Sequence, residues 1–226
     1  MKPTLTPRLQ CIADMIENRG TVADIGTDHA YLPIFLISEN KCKKCIAADI
    51  AKGPLSRAEE YIEKHLGKTD RIATVLSDGL KSINESCDVI TIAGMGGETI
   101  AQILQAKPLP VGQTVILQPM SKAEELRKFL YNNNFFIEDE VAVSEDRRIY
   151  SVIRAVKAEH GQPAEAVEIY ISAPLLAKKD ADSVKYKEKV LRAVKKKLNG
   201  IEKAENKDES SISEQRKICE RLEKEI

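Results

Sequence analysis

No stretch of this chain approaches the ~18 consecutive apolar residues of a membrane-spanning helix, and residues 1–6 lack the charged-then-apolar order of a secretory signal. The sequence therefore reads as cytoplasmic, with no membrane partner. Net charge is missing as well. The 35 Lys and Arg balance 35 Asp and Glu, so bulk electrostatics gives no reason to expect a polyanion unless positive charge is concentrated locally. A disulfide framework is also lacking: Cys11, Cys42, Cys45, Cys87 and Cys219 are odd in number and scattered, which suits a reducing compartment. Cys42 and Cys45 form a C-x-x-C pair, but no second Cys/His pair follows at zinc-finger spacing, and His29, His65 and His160 are dispersed, so no metal is expected. What remains is ordinary globular composition. With 42% hydrophobic residues, the 226-residue chain supports a buried core, as one domain with an appendage or as two small domains.

Through roughly the first 120 residues, β-rich runs alternate with helical ones, the signature of βαβ units and of an α/β fold with a largely parallel sheet. Strand candidates are residues 21–25, 45–50, 71–76, 88–93 and 114–118, with a helix at 54–66 where Pro54 suits a first turn. Two further β-like runs, 135–143 and 149–156, flank a charged segment and predict an antiparallel hairpin closing the sheet. After Gly161-Gln162-Pro163 the composition shifts to a Lys-rich helical pattern over 181–204, with Val184, Leu191, Val194, Leu198 and Ile201 as its apolar stripe. A polar break at 205–210 precedes Ser211-x-x-Glu214, which has the form of a capping box, and then a second stripe of Ile212, Gln215, Cys219, Leu222 and Ile226. Matching stripes across a short link predict an antiparallel helical hairpin. The expected division is 1–160 and 161–226, and the assembly state is left open.

The positive charge missing overall is concentrated in that arm: residues 178–203 hold ten Lys/Arg against four Asp/Glu. The apolar stripe explains the helix but not the lysine excess. Clustered cations attract phosphates without reading sequence, so Lys189, Arg192, Lys195, Lys196 and Lys197 are candidates for holding a polynucleotide.

In an open parallel sheet, ligands bind beyond the carboxyl ends of the strands. The first strand ends in Asp24-Ile25-Gly26-Thr27-Asp28-His29-Ala30. A dinucleotide fingerprint would need a second glycine where Asp28 stands, to let backbone approach a diphosphate. A carboxylate there repels phosphate but suits S-adenosylmethionine, which has no phosphate and carries an ammonium and a sulfonium. Asp49 ends the second strand, placed to accept from ribose hydroxyls, and Ser77-Asp78-Gly79 ends the third, placed for the adenine. The fourth ends in Ala93-Gly94-Met95-Gly96-Gly97, whose bare backbone leaves room for a flat substrate ring, and the fifth in the neutral amide of Gln118 before Pro119 and Met120. Each turn has a purely structural explanation; three acidic ends in succession argue for an adenosine cofactor.

The combination of residues 24–33 (DIGTDHAYLP), residues 93–97 (AGMGG), Gln118-Pro119 and a Lys-rich helical C-terminus resembles the bacterial tRNA (adenine-22-N1)-methyltransferase family, over nearly the whole chain. The resemblance implies a Rossmann-like class I methyltransferase sheet with a coiled-coil-like C-terminal domain, acting on N1 of an adenine in tRNA. Met120 stands where the family pattern has Asn, and a thioether cannot replace an amide's hydrogen bonds. Within this frame Asp24, Gly26, Thr27, Asp28, His29, Asp49, Ser77, Asp78, Gly79, Ala93, Gly94 and Met95 are expected around the cofactor, and Asp28, His29, Gly94, Met95, Gly96 and Gln118 around the reacting atoms. The alternatives are a methyltransferase for a small molecule or protein, and a non-catalytic RNA-binding module.

Overall fold

The computed structural model describes residues 2–17, 19–203 and 208–226. In chain order its elements are α1 (Pro7–Asp14), β1 (Arg19–Ile25), α2 (Tyr31–Ser38), β2 (Cys42–Asp49), α3 (Lys52–Leu66), β3 (Ile72–Leu76), β4 (Val89–Gly96), α4 (Gly97–Ala106), β5 (Thr114–Ser121), α5 (Ala123–Asn132), β6 (Phe135–Glu145), β7 (Arg148–Lys157), a short 3-10 turn (Ala166–Ile169), α6 (Ala173–Ala177), α7 (Ala181–Glu202) and α8 (Glu209–Glu225). The strands form one sheet in the order β3-β2-β1-β4-β5-β7-β6. β1 to β5 pair in parallel, and β7 runs antiparallel to both β5 and β6. Strand order therefore reverses between β1 and β4, which is the switch point where such sheets open a ligand crevice.

The pleat decides which residues fill which layer. On β4, Ile90 and Ile92 face the α4–α5 layer while Val89 faces the α1–α3 layer; on β5, Val115 and Leu117 take the first side and Ile116 the second. Both faces are covered, so these strands read as continuous apolar runs. Helix α2 is apolar all round and accordingly buried from Leu32 to Ile37.

The hairpin turn between β6 and β7 is tighter than the charged segment suggested, with only Asp146 and Arg147 between the strands and Asp146 at φ 54°. β2 begins three residues before the apolar run, at Cys42, and α3 begins two residues before Pro54. The C-terminal helices run antiparallel, as the ion pairs Arg216–Glu202 (2.7 Å) and Lys195–Glu223 (2.5 Å) require. The capping box at Ser211 is corrected. Asp208 is the N-cap, accepting from Ser210 N at 3.1 Å and from the Ser211 hydroxyl at 2.5 Å, because an aspartate one turn earlier satisfies the open N–H groups first. The stripes also shift: Tyr186 and Ile218 are buried, whereas Ile226 is exposed. Of the expected break at 205–210, residues 205–207 lie outside the described residues, as does Ala204.

A third apolar cluster joins Ala142 and Ile149 of the hairpin to Leu175, Tyr186, Val194 and Leu222 of the helices. At its edge Arg127 of α5 is fully buried against Glu140 of β6: Nε donates to Oε2 at 3.0 Å and Nη2 contacts Oε1. The same guanidinium donates to the Tyr170 carbonyl at 2.8 Å and to the Tyr186 hydroxyl at 2.9 Å. One cation thus ties the sheet to the helical hairpin.

Candidate functional site

The β1–α2 turn is built from left-handed backbone. Gly26 has φ 79°, and His29 and Ala30 follow at 58° and 52°, a pairing that non-glycine residues hold only when surroundings over-determine it. The amides of Gly26 and Thr27 both donate to Ala48 O, at 2.8 and 2.9 Å, which curls the chain over the end of β2. A Cβ on Gly26 would sit 2.1 Å from Met95 Cε. The missing side chain therefore makes room for Met95, which crosses the switch crevice from β4.

Asp24 lies beneath this turn, only 8% exposed, with the Thr91 hydroxyl donating to Oδ1 at 2.8 Å. Burial pushes its carboxyl above the usual carboxylate range; the Thr91 hydroxyl offsets part of that rise, and Asp49 adds to it. Asp28, in contrast, is exposed at the mouth, 3.1 Å from Arg57 Nη2 and 3.5 Å from His29 Nε2. His29 packs edge-on against Tyr61 (5.1 Å between centroids) and beside Tyr31 (5.4 Å). Its Nδ1 is buried with no hydrogen-bond partner among the described residues.

At the next two strand ends, Asp49 accepts Ala51 N at 2.8 Å through Oδ1, and its carbonyl accepts Ser77 N at 2.9 Å. The Ser77 hydroxyl is spent within its own turn, donating to Gly79 O (2.8 Å) and accepting from Ser82 N (3.0 Å), so Ser77 shapes the loop rather than offering a free group. Gly79 is left-handed at φ 57°, and Asp78 pairs with Lys81 at 2.5 Å. Gly26, Asp49, Asp78, Gly79 and Met95 line one cavity of about 380 Å³ with Ile50 and Ile103. That volume falls in the range of small-ligand sites. Ile50 is 67% exposed, an apolar side chain left in the open beside Asp49.

The fourth and fifth strand ends form the opposite wall. Pairing of β4 with β5 slips between Ala93 and Met95, where Gly94 stands at φ 77° with open space around it. Gly97 is bare for packing: a Cβ there would lie 2.1 Å from Lys122 O. Gln118 is 1% exposed and fully engaged. Its Oε1 accepts from Gly94 N (3.2 Å) and Arg8 Nη1 (2.8 Å), and its Nε2 donates to Pro119 O (2.9 Å). Arg8 comes from α1, which local periodicity did not mark. It also lies against the Met120 thioether, with Nη1 2.8 Å from Sδ.

Beyond Pro119 and Met120 a groove of about 910 Å³ runs between α5 and α7, with Tyr150, Tyr170, Lys189 and Lys197 on its walls. Much of the lysine excess is structural. Lys187 is buried and donates to Lys178 O and Glu225 O, and burial lowers its pKa; Lys189 donates to Ile149 O, Lys195 pairs with Glu223, and Lys197 donates to the Tyr170 hydroxyl. Arg192 is exposed with a loose contact to Glu188 (3.8 Å), and Lys196 is exposed with no polar partner among the described residues. Cys42 and Cys45 are buried thiols with Sγ atoms 3.2 Å apart, and among the described residues no group of three or more His, Cys, Asp or Glu could hold a metal. No described helix is long and apolar enough to cross a membrane.

Comparison with known proteins agrees with the fold. Residues 5–153 match the model of a methyltransferase domain. A Bacillus subtilis tRNA (adenine(22)-N(1))-methyltransferase is 37% identical over 180 residues, spanning 77% of this chain and 75% of its own. The crystal structure of a B. subtilis m1A22 tRNA methyltransferase, TrmK, superposes with TM-score 0.84 at 31% identity, covering 99% of each chain. TrmK of M. capricolum, solved with S-adenosylhomocysteine, superposes at 0.79 and 31% identity over 98% of this chain and 97% of its own. With these relatives and a sheet order of the same Rossmann-like kind, the chain belongs to the tRNA (adenine(22)-N(1))-methyltransferase family of Rossmann-like methyltransferases.

Proposed function

We propose that this protein methylates N1 of adenine 22 in tRNA with S-adenosylmethionine, working in the cytoplasm, with 1–160 holding the cofactor and 161–226 helping to hold the RNA. The observation that carries the reading is the cavity where Asp49 and Asp78, at the ends of β2 and β3, meet the Gly26 turn of β1 and Met95 of β4. The residues present fit the cofactor. The unpartnered Nδ1 of His29, the bare turn at Gly79 and the exposed Ile50 answer a nucleoside with polar edges and an apolar face. Asp49 keeps Oδ2 for a ribose hydroxyl, Asp78 and Gly79 border the adenine, and Asp24 and Asp28 place negative charge near the cationic amino acid portion.

When bound, S-adenosylmethionine supplies an electrophilic methyl group. Adenine N1 has an in-plane lone pair that is unprotonated at neutral pH, so no base is needed to create the nucleophile, and positioning carries much of the rate. The methylated ring is cationic until it loses a proton. Asp28, held by Arg57, and the carbonyls of residues 94–97 stabilise that charge, with His29 beside them. N1 lies on the Watson–Crick edge, so the base must leave its stack to reach the gap beside Gly94 and Gly96.

Incubation with labelled S-adenosylmethionine and unmodified tRNA, followed by digestion, should give label in 1-methyladenosine alone. Label in another nucleoside, or in protein, contradicts the reading. For the RNA arm, Arg192→Glu with Lys196→Glu should weaken tRNA binding and flatten the log–log salt dependence by about 1.5–2, leaving cofactor affinity unchanged. Filter binding across a salt series measures this. Lys189, Lys195 and Lys197 belong to the same proposed surface, but their internal bonds make them poorer probes of it.

A further inference from the structure

We infer that Arg8 is a positioning residue for methyl transfer, acting through Gln118 on the Ala93–Gly94 peptide. This inference rests on the methyltransferase reading. A buried amide can sit in either of two orientations, and here the neighbours decide. Arg8 Nη1 and Gly94 N both point donors at one end, and Pro119 O presents an acceptor at the other. A flipped Gln118 would face donor against donor twice and acceptor against acceptor once. The permanent charge of Arg8 makes the observed orientation the strongly favoured one.

The consequence passes to the backbone. A trans peptide is planar, so its N–H and C=O point in opposite directions. Holding Gly94 N–H toward Gln118 on β5 turns the Ala93 carbonyl toward β1, the side on which the strands part. Gly94 permits this orientation through its left-handed φ of 77°. The carbonyl is thereby aimed at the crevice where charge develops on the substrate ring.

Arg8 is itself held rigidly. Glu145 accepts its backbone N at 3.0 Å, its Nε at 2.9 Å and its Nη2 at 2.7 Å, and the guanidinium lies 4.9 Å from the Tyr150 ring centre. Helix α1 has a second tether that avoids the site: Arg154 Nη1 donates to Met15 O at 2.8 Å. This separates docking of the helix from positioning of the loop.

The test compares Arg8→Met, Arg8→Lys and Arg154→Met by thermal melting, calorimetry with S-adenosylmethionine and steady-state kinetics with tRNA. Arg8→Met should lower kcat about 10- to 100-fold, the effect of a misplacement of about 1 Å, with cofactor Kd and tRNA KM within about threefold. Arg8→Lys, which keeps a cationic donor but loses the fork to Glu145, should recover kcat to within about fivefold of the parent while melting as low as Arg8→Met. Arg154→Met should melt lower with kcat within about twofold of the parent. If Arg8→Met turns over normally, if kcat follows melting temperature across all three variants, or if the loss appears in KM, the inference is overturned. Should Arg8→Met not fold, Arg8→Gln takes its place beside Arg154→Met: a kcat loss of about tenfold or more in the first with kcat retained in the second supports the inference, and equal kcat in the two contradicts it. A parent protein that binds cofactor but methylates no tRNA would instead sink the underlying reading.

Discussion

Asp24→Asn should bind S-adenosylmethionine at least about tenfold more weakly than the parent, a loss of about 1.4 kcal/mol, yet melt at a higher temperature when no cofactor is present. Both effects follow from one buried carboxylate. Its folded pKa lies above the unfolded value, chiefly through burial. The folded state therefore binds the proton more tightly, and stability falls as pH rises from the unfolded carboxylate range through the folded value. At neutral pH, above the unfolded carboxylate range, the raised folded value therefore costs the unliganded protein stability. Asparagine keeps an acceptor for Thr91, seen at 2.8 Å in the parent, and removes that penalty. It also removes the negative charge beneath a turn that we propose holds a cation. Calorimetry and thermal melts on the two proteins measure the pair of effects, and unchanged affinity would show that Asp24 serves only the fold.

The second large effect is expected at the junction of sheet and helices. Arg127→Met should destabilise the protein by about 3–5 kcal/mol, because it leaves Glu140 buried without its counter-charge. At roughly 2–4 °C per kcal/mol for a chain of this size, melting should fall by about 6–20 °C. Burial alone would push the Glu140 carboxyl up, but Arg127 beside it holds it below the usual range. The stabilisation is therefore present above the unfolded glutamate range, near ~4.3, and is lost as pH falls through the folded value, so the gap between parent and variant should narrow in acid. Replacing both partners, Arg127→Met with Glu140→Leu, should recover much of the loss. Urea unfolding at neutral and acidic pH checks both points; a gap independent of pH would assign the effect to packing.

The site's outline is legible in the sequence because its parts are local. Asp24 to His29, Asp49, Ser77 to Gly79 and residues 93–97 each interrupt an apolar run, and a parallel sheet brings such interruptions to one edge. The parts that stay hidden depend on distant contacts. Arg8 reaches residues 110 and 137 positions away, a separation no periodicity encodes. Gly26 reads as a turn former, but the structure shows it also clearing space for Met95. The lysine excess reads as a surface free to hold a polynucleotide, yet Lys178, Lys179, Lys185, Lys187, Lys189, Lys195 and Lys197 all donate to partners on other segments or to the opposing helix. Helix amphipathicity shows which positions are polar and nothing of what they meet. The cap at Asp208 stays hidden for a simpler reason: in sequence it belongs to the polar break, and the fold starts the helix one turn before Ser211.

The central claim is that a sulfonium nucleoside sits at the ends of β1, β2 and β3, and crystals soaked with S-adenosylhomocysteine test it directly. The account predicts density in the cavity of about 380 Å³, with the ribose at Asp49, the adenine between Ile50 and the Asp78–Gly79 turn, and the amino acid portion toward Gly26. An empty cavity at saturating concentration, or density confined to the groove beside Tyr150 and Lys197, would contradict it.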